Sequence, residues 1–187
     1  MTVRIAISPD TIDAITGDTL VAGLFSDERP PRGFCGDIDW RLNSLLSRLM
    51  AEKRIKGSFR EATLITPMKR LYVEKVLIVG LGPIRSLTYK RIHQAGETIA
   101  GILRGILSEH AVIAVPGTGR SSLEIATMTR SFITGLCMRL MKIAGGDRAF
   151  TLLGRPPEID ELILGLQECK VALRDQIAID IEDSKGA

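Results

Sequence analysis

Aromatic side chains are scarce in this chain of 187 residues: one tryptophan, two tyrosines and five phenylalanines. The core must therefore be built from Ile, Leu, Val, Ala and Met. The interleaving of aromatic and basic residues that marks single-strand nucleic-acid surfaces is missing. A net charge of +3, with both signs scattered along the chain, is also too small to argue for a nucleic-acid partner. Histidine is rarer still. His93 and His110 have no Cys, Asp or His at ligand spacing, which argues against a metal centre or a histidine-based catalyst. The three cysteines, Cys35, Cys137 and Cys169, are widely and unequally spaced and odd in number. That excludes a paired disulfide framework, and Cys137 and Cys169 fall in apolar helical patterns where they act as small hydrophobes. No apolar run reaches the ~18 residues a membrane span needs. The opening apolar stretch is short and broken by Arg4 and Pro9, so it is no signal peptide, and the cytoplasm is the expected location.

What is present is an ordinary globular composition, 45 % hydrophobic and 25 % charged. The length suits one domain, expected over residues 1–187, with an acidic tail over 176–187. Short β-branched runs at Val3–Ile7 and Thr19–Phe25 read as strands, followed by an amphipathic helix from Asp37 to about Ile55 with Asp37 at its start. Trp40 is expected to cap one edge of the core. Ala62–Thr66 and Val76–Val79 read as strands joined by a short hairpin-like connection. The near-continuous apolar run before Gly80 suits a central strand buried on both faces. Helices follow from about Thr88 to Leu107, from Ser121 to Gly145-Gly146 and from about Glu158 to Asp175, alternating with strands at Val112–Val115, Phe150–Leu153 and Ile177–Ile181. Ser121-x-x-Glu124 fits a capping box. This alternation predicts a three-layer α/β/α domain with a mixed, mostly parallel sheet. The two opening strands lack an intervening helix and are expected to supply the antiparallel part.

The run Asp18 to Phe25, a long helix, and then Lys75-Val76-Leu77-Ile78-Val79-Gly80-Leu81-Gly82 resembles the N-terminal domain of M17 leucyl aminopeptidases. Ala95-Gly96, Thr134-Gly135-Leu136 and Ala172-Leu173-Arg174-Asp175 extend the likeness across roughly Ile15 to Asp175. The resemblance implies a macro-domain-like fold. The family's two-metal catalytic machinery belongs to a second domain, and its Asn-Thr-Asp-Ala-Glu-Gly-Arg stretch has no counterpart here, so no catalytic or metal residue carries over. Met1 and the acidic tail favour a complete small protein over a fragment.

The most site-like segment is Gly117-Thr118-Gly119-Arg120-Ser121-Ser122, between a buried strand and an expected helix start. There, free backbone N–H groups, hydroxyls and a guanidinium would suit an anion. Gly80 and Gly82 supply two glycines of a dinucleotide fingerprint, but Arg85 occupies the third position. A tight strand-to-helix turn explains them, unless both loops form one phosphate cleft. Lys53, Arg54, Lys56, Arg60, Lys69 and Arg70 read as solvated cations, and Glu158, Asp160 and Glu161 as helix first-turn carboxylates. No cofactor is called for. Three readings follow: a non-catalytic macro-like domain that works by assembly, regulation or binding, with itself, an aminopeptidase chain or another protein as partner; a module for ADP-ribose or another phosphorylated small molecule at Gly117–Ser122; and a piece of a metallo-aminopeptidase.

Overall fold

The computed structural model describes residues 2–143 and 147–182. The expected helix end at Gly145-Gly146 and the tail from Asp183 lie outside these residues. Among the described residues seven strands form one sheet: β1 (Thr2–Ser8), β2 (Gly17–Phe25), β3 (Ala62–Ile65), β4 (Val73–Gly82), β5 (His110–Ala114), β6 (Arg148–Leu153) and β7 (Ala178–Glu182). Their order is β3-β4-β2-β5-β6-β1-β7, and every pairing is parallel except β3 with β4.

The central strands have alternating side chains that feed two separate cores, as the two-residue period of a strand requires. On one face Val21, Phe25, Leu77, Val79, Leu81 and Ile113 meet helices α3 (Tyr89–Gly105), α4 (Ile125–Lys142) and α5 (Ile159–Leu173). On the other face Leu20, Ala22, Leu24, Val76, Ile78 and Val112 meet α1 (Gly33–Arg41) and α2 (Leu45–Ala51). The result is the three-layer arrangement read from the sequence. Fully buried side chains such as Ile99, Phe132 and Leu46 contribute about 1.5–3 kcal/mol each.

The antiparallel element has a different source from the one expected. β1 and β2 are not neighbours, and each pairs only in parallel fashion. Residues 9–16 run back from the end of β1 to the start of β2 and bury Ile12 and Ile15 in the second core, doing the covering that a crossover helix would do. The antiparallel pairing belongs to the hairpin of β3 and β4, with the turn at Met68 and Lys69.

The single long helix expected from Asp37 to Ile55 is two helices, and the first begins at Gly33 rather than Asp37. Asn43 and Ser44 take left-handed backbone angles between them. Asp39 stabilises the break by accepting hydrogen bonds from the backbone N–H and the hydroxyl of Ser47. Apolar periodicity continues through the break because both helices pack on one core, so the pattern alone does not reveal it. Trp40 is 73 % exposed and caps no core edge.

On the opposite face α3 and α4 approach so closely that backbone meets backbone. A Cβ on Gly135 would lie 2.1 Å from the carbonyl oxygen of His93, and one on Gly96 would lie 2.3 Å from that of Phe132. Gly135→Ala should therefore lower stability by about 1–3 kcal/mol in urea unfolding, because neither backbone can yield. Gly105→Ala, in the last turn of α3 with nothing within 4 Å, should instead raise it by about 0.5–1 kcal/mol. Asp18 accepts hydrogen bonds from the backbone N–H of Glu109 at 2.7 Å and of His110 at 2.9 Å, fastening the entry to β5. The His110 bond is the main cause that holds its carboxyl below the usual range. A depressed folded-state pKa stabilises above the unfolded value of about 3.9 and is lost as pH falls through the lower one. Asp18→Asn should thus cost about 1 kcal/mol at pH 7 and nothing once the wild-type carboxylate is protonated, as read by thermal unfolding across pH 2–7.

Candidate functional site

The strands β1, β2, β4, β5 and β6 all run the same way, so their carboxyl ends and the loops that follow them share one edge. That edge is where open α/β sheets bind ligands. The loop after β5 holds the predicted site residues, and its shape is set from within. Gly117 has φ +90°, a conformation that L side chains rarely adopt. Thr118 donates its hydroxyl to the carbonyl of Val115 at 3.0 Å, the backbone N–H of Arg120 donates to the carbonyl of Gly117 at 3.1 Å, and Ser121 donates its hydroxyl to the same carbonyl at 3.4 Å. Gly119 also has positive φ, and Ser122 is exposed.

Two features of this loop differ from the sequence reading. The helix does not begin at Ser121. It begins at Ile125, and there is no capping box: Glu124 accepts from the Thr127 hydroxyl, while Glu161 of α5 accepts from the backbone N–H of Ile125 at 3.2 Å. The extra residues 121–124 separate the loop from the helix dipole. Second, Arg120 is already engaged. Its guanidinium donates to the carboxylate of Glu28, from Nε at 2.7 Å and also from Nη2. Glu28 is 7 % exposed and Arg120 30 %. The pair closes the hollow between the ends of β2 and β5, which keeps only about 20 Å³ between Gly23, Gly33, Cys35, Val115 and Gly117.

Gly80 and Gly82 are not part of this hollow. The backbone N–H of Gly80 donates to the carbonyl of Glu61 and that of Gly82 to the carbonyl of Gly57, and a Cβ on Gly80 would lie 2.0 Å from the Ser58 carbonyl oxygen. These glycines make room for the 57–61 loop. They do not form a strand-to-helix turn either, since β4 continues through Gly82 and a short 3-10 turn precedes α3.

The open space lies next door, beyond Phe34, at the ends of β1 and β6. A pocket of about 340 Å³ is walled by Pro9, Phe34, Trp40 and Pro156, with Asp10, Asp13 and Asp37 at its polar margin. Arg155 donates to Asp37 at 3.2 Å and stacks 5.4 Å from the Phe34 ring, while Arg41 pairs with Asp13 and lies 4.8 Å from the Trp40 ring. Asp10 accepts from the Ser8 hydroxyl at 2.6 Å. The sequence pattern implied only structural roles for Asp37 and Trp40, at the helix start and the core edge, and assigned none of these residues to a site. The one signal that could have pointed to them is Pro9-Asp10 directly after a buried strand.

Burial pushes the thiols of Cys35, Cys137 and Cys169 up, so none is a ready nucleophile. His110 hydrogen-bonds Thr151 at 3.0 Å inside the sheet. Glu158 accepts from the backbone N–H of Arg155 at 2.8 Å. No cluster of three or more His, Cys, Asp or Glu suited to a metal ion occurs among the described residues.

With this geometry in view, residues 21–143 match the cytosol aminopeptidase family, N-terminal domain. The chain belongs to this family. Curated relatives include a probable cytosol aminopeptidase of Geobacter sp. (strain M21), 36 % identical over 101 residues, covering 54 % of this chain and 20 % of that protein. Another, from Cyanothece sp. (strain PCC 7425 / ATCC 29141), is 27 % identical over 84 residues, covering 45 % of this chain and 17 % of that protein. The matches thus span about a fifth of those relatives. Among solved structures, a mutant of tomato leucine aminopeptidase gives a TM-score of 0.65 at 16 % identity, covering 90 % of this chain and 36 % of that one. The Oceanobacillus iheyensis macrodomain with ADP gives 0.69 at 13 % identity, covering 91 % and 92 %. The Trypanosoma brucei macrodomain in complex with ADP-ribose gives 0.68 at 17 % identity, covering 84 % and 67 %. This N-terminal domain of the cytosol aminopeptidase family therefore has the macrodomain fold. No helix among its described residues is long and apolar enough to cross a membrane.

The Glu28–Arg120 pair is testable on its own. Arg120→Ala strands a buried carboxylate and should cost about 2 kcal/mol, reduced from the fully buried case because Arg120 is partly solvated. Arg120→Lys should recover part of that loss in the same urea titration, and Glu28→Gln should cost less than Arg120→Ala because the cation it leaves unpaired is partly solvated.

Proposed function

We propose that this domain works by binding rather than by chemistry of its own, and that its ligand is ADP-ribose or a related phosphorylated small molecule. The observation that carries the reading is the open pocket of about 340 Å³ beside the first turn of α1, at the carboxyl ends of parallel strands. Its volume lies at the lower end of small-molecule sites, about 300–1,000 Å³. Phe34 and Trp40 offer flat apolar walls for a base, and Asp10 and Asp37 offer acceptors for its N–H groups. A phosphate bridging away from that base would meet the free N–H groups at the start of α1, which has no side-chain cap. It would then reach Gly117 and Thr118 once Arg120 releases Glu28. The two macrodomains of the same fold, one with ADP and one in complex with ADP-ribose, support the same ligand class.

Location in the cytoplasm is part of this proposal. Assembly with another chain is a second reading, favoured by the exposure of Trp40 and Tyr72. Thermal unfolding with ADP-ribose, ADP, AMP and pyrophosphate tests the ligand reading. A binder at 100 times its dissociation constant adds about 2.7 kcal/mol. ADP-ribose should raise the melting temperature by several degrees, and the gain should shrink in Phe34→Ala. An unchanged melting temperature with all four compounds sinks the reading.

A further inference from the structure

A chain with one tryptophan and two tyrosines exposes the tryptophan and one tyrosine on neighbouring ground. Trp40 lies in the last turn of α1, and Tyr72 ends the β3–β4 connection, 74 % exposed. The Arg41–Asp13 ion pair forms a shared wall between two hollows. On one side is the pocket that Trp40 lines; on the other is a hollow of about 330 Å³ lined by Lys69, Arg70, Leu71 and Tyr72. Met68, at the tip of the same connection, is 81 % exposed. Trp, Tyr, Met and Arg are the residues enriched at protein interfaces, and large apolar groups left in water on one face mark such sites.

Charge distinguishes the partner. Arg41 and Arg155 are neutralised by Asp13 and Asp37, but among the described residues Lys69 and Arg70 make no ion pair and are exposed. The turn with Met68 and Lys69 at positive φ carries these exposed cations. A nucleic-acid strand is disfavoured, since Lys69 and Arg70 are the only unpaired cations here among the described residues and the carboxylate of Asp10, which no cation pairs, borders the Trp40 side. A protein segment with carboxylates at one end and an apolar side chain at the other meets no such conflict. We propose that the Trp40–Arg41–Tyr72 ridge, with Lys69 and Arg70, docks an acidic segment of a partner protein. The segment's carboxylates lie on Lys69 and Arg70, and an apolar side chain lies against Trp40, on the wall that the base of the proposed ligand would otherwise occupy.

Trp40 is the chain's only tryptophan, so its emission reports on this surface alone. The probe is a synthetic peptide of Asp and Glu residues around one central leucine, titrated into the full chain. A saturable blue shift of the emission is expected, weakened by added salt as exposed charges are screened. The Lys69→Glu/Arg70→Glu variant should bind about tenfold more weakly. Both positions are exposed, and an unchanged melting temperature of the variant verifies its fold. The same peptide with lysine in place of every acidic residue should give no shift. The proposal is overturned by any of four results: no saturable change up to millimolar peptide, an equal response to the lysine peptide, an affinity unaltered in the double variant, or tighter binding by a single-stranded oligonucleotide. A stable dimer in light scattering that Trp40→Ala dissolves would assign the surface to a second copy and equally overturn it.

Discussion

Burial on both faces of the central strands is the constraint from which the rest follows. β2, β4 and β5 carry apolar side chains up and down, so the chain must cover two sides of one sheet. It does so unequally. Three helices, of 17, 18 and 15 residues, cover one side. The other has helices of nine and seven residues and the extended segment 9–16. Between α1, the segment 9–16 and the ends of β1 and β6 this thinner cover leaves a gap, which is the pocket. The cavity is thus a by-product of how little chain is assigned to that face, and its polar margin comes from the same short pieces: Asp10 and Asp13 from the segment, and Asp37 from α1.

The same edge is shut one strand pair further along. The loop after β5 has the backbone shape of an anion cradle, with Gly117 and Gly119 at positive φ and α1 starting opposite. Its guanidinium is held by a carboxylate that is itself almost out of water. Two charges that would each be costly to bury alone stabilise one another only while both remain. Any anion entering there would have to displace Glu28 from Arg120, which makes the two hollows, both lined by Phe34, unequal in access.

The layer order, the mostly parallel sheet and the family were legible because they depend on period and on the spacing of runs such as that ending in Gly80-Leu81-Gly82. What escaped was decided by single residues or by contacts distant in sequence. The break at Asn43 and Ser44 leaves the apolar stripe intact, so periodicity spans it. Ser121-x-x-Glu124 has the composition of a capping box, yet the N-terminus of α4 is satisfied by Glu161 from another helix. Glu28 read as part of a polar loop because its partner lies 92 positions away. The glycines Gly96 and Gly135 were visible as family landmarks, but their physical role, a helix pair packed backbone to backbone, appears only in three dimensions.

The pairing of β1 with β7 has a mechanical consequence. Thr2 opposes Ala178 and Ala6 opposes Glu182, so the outermost described strands at the two ends of the chain lie side by side and point the same way. Tension drawn through Thr2 and Glu182 in opposite directions would slide the two strands past each other. The bonds between them would then bear load as a group rather than peel apart singly, the arrangement that best resists being pulled open.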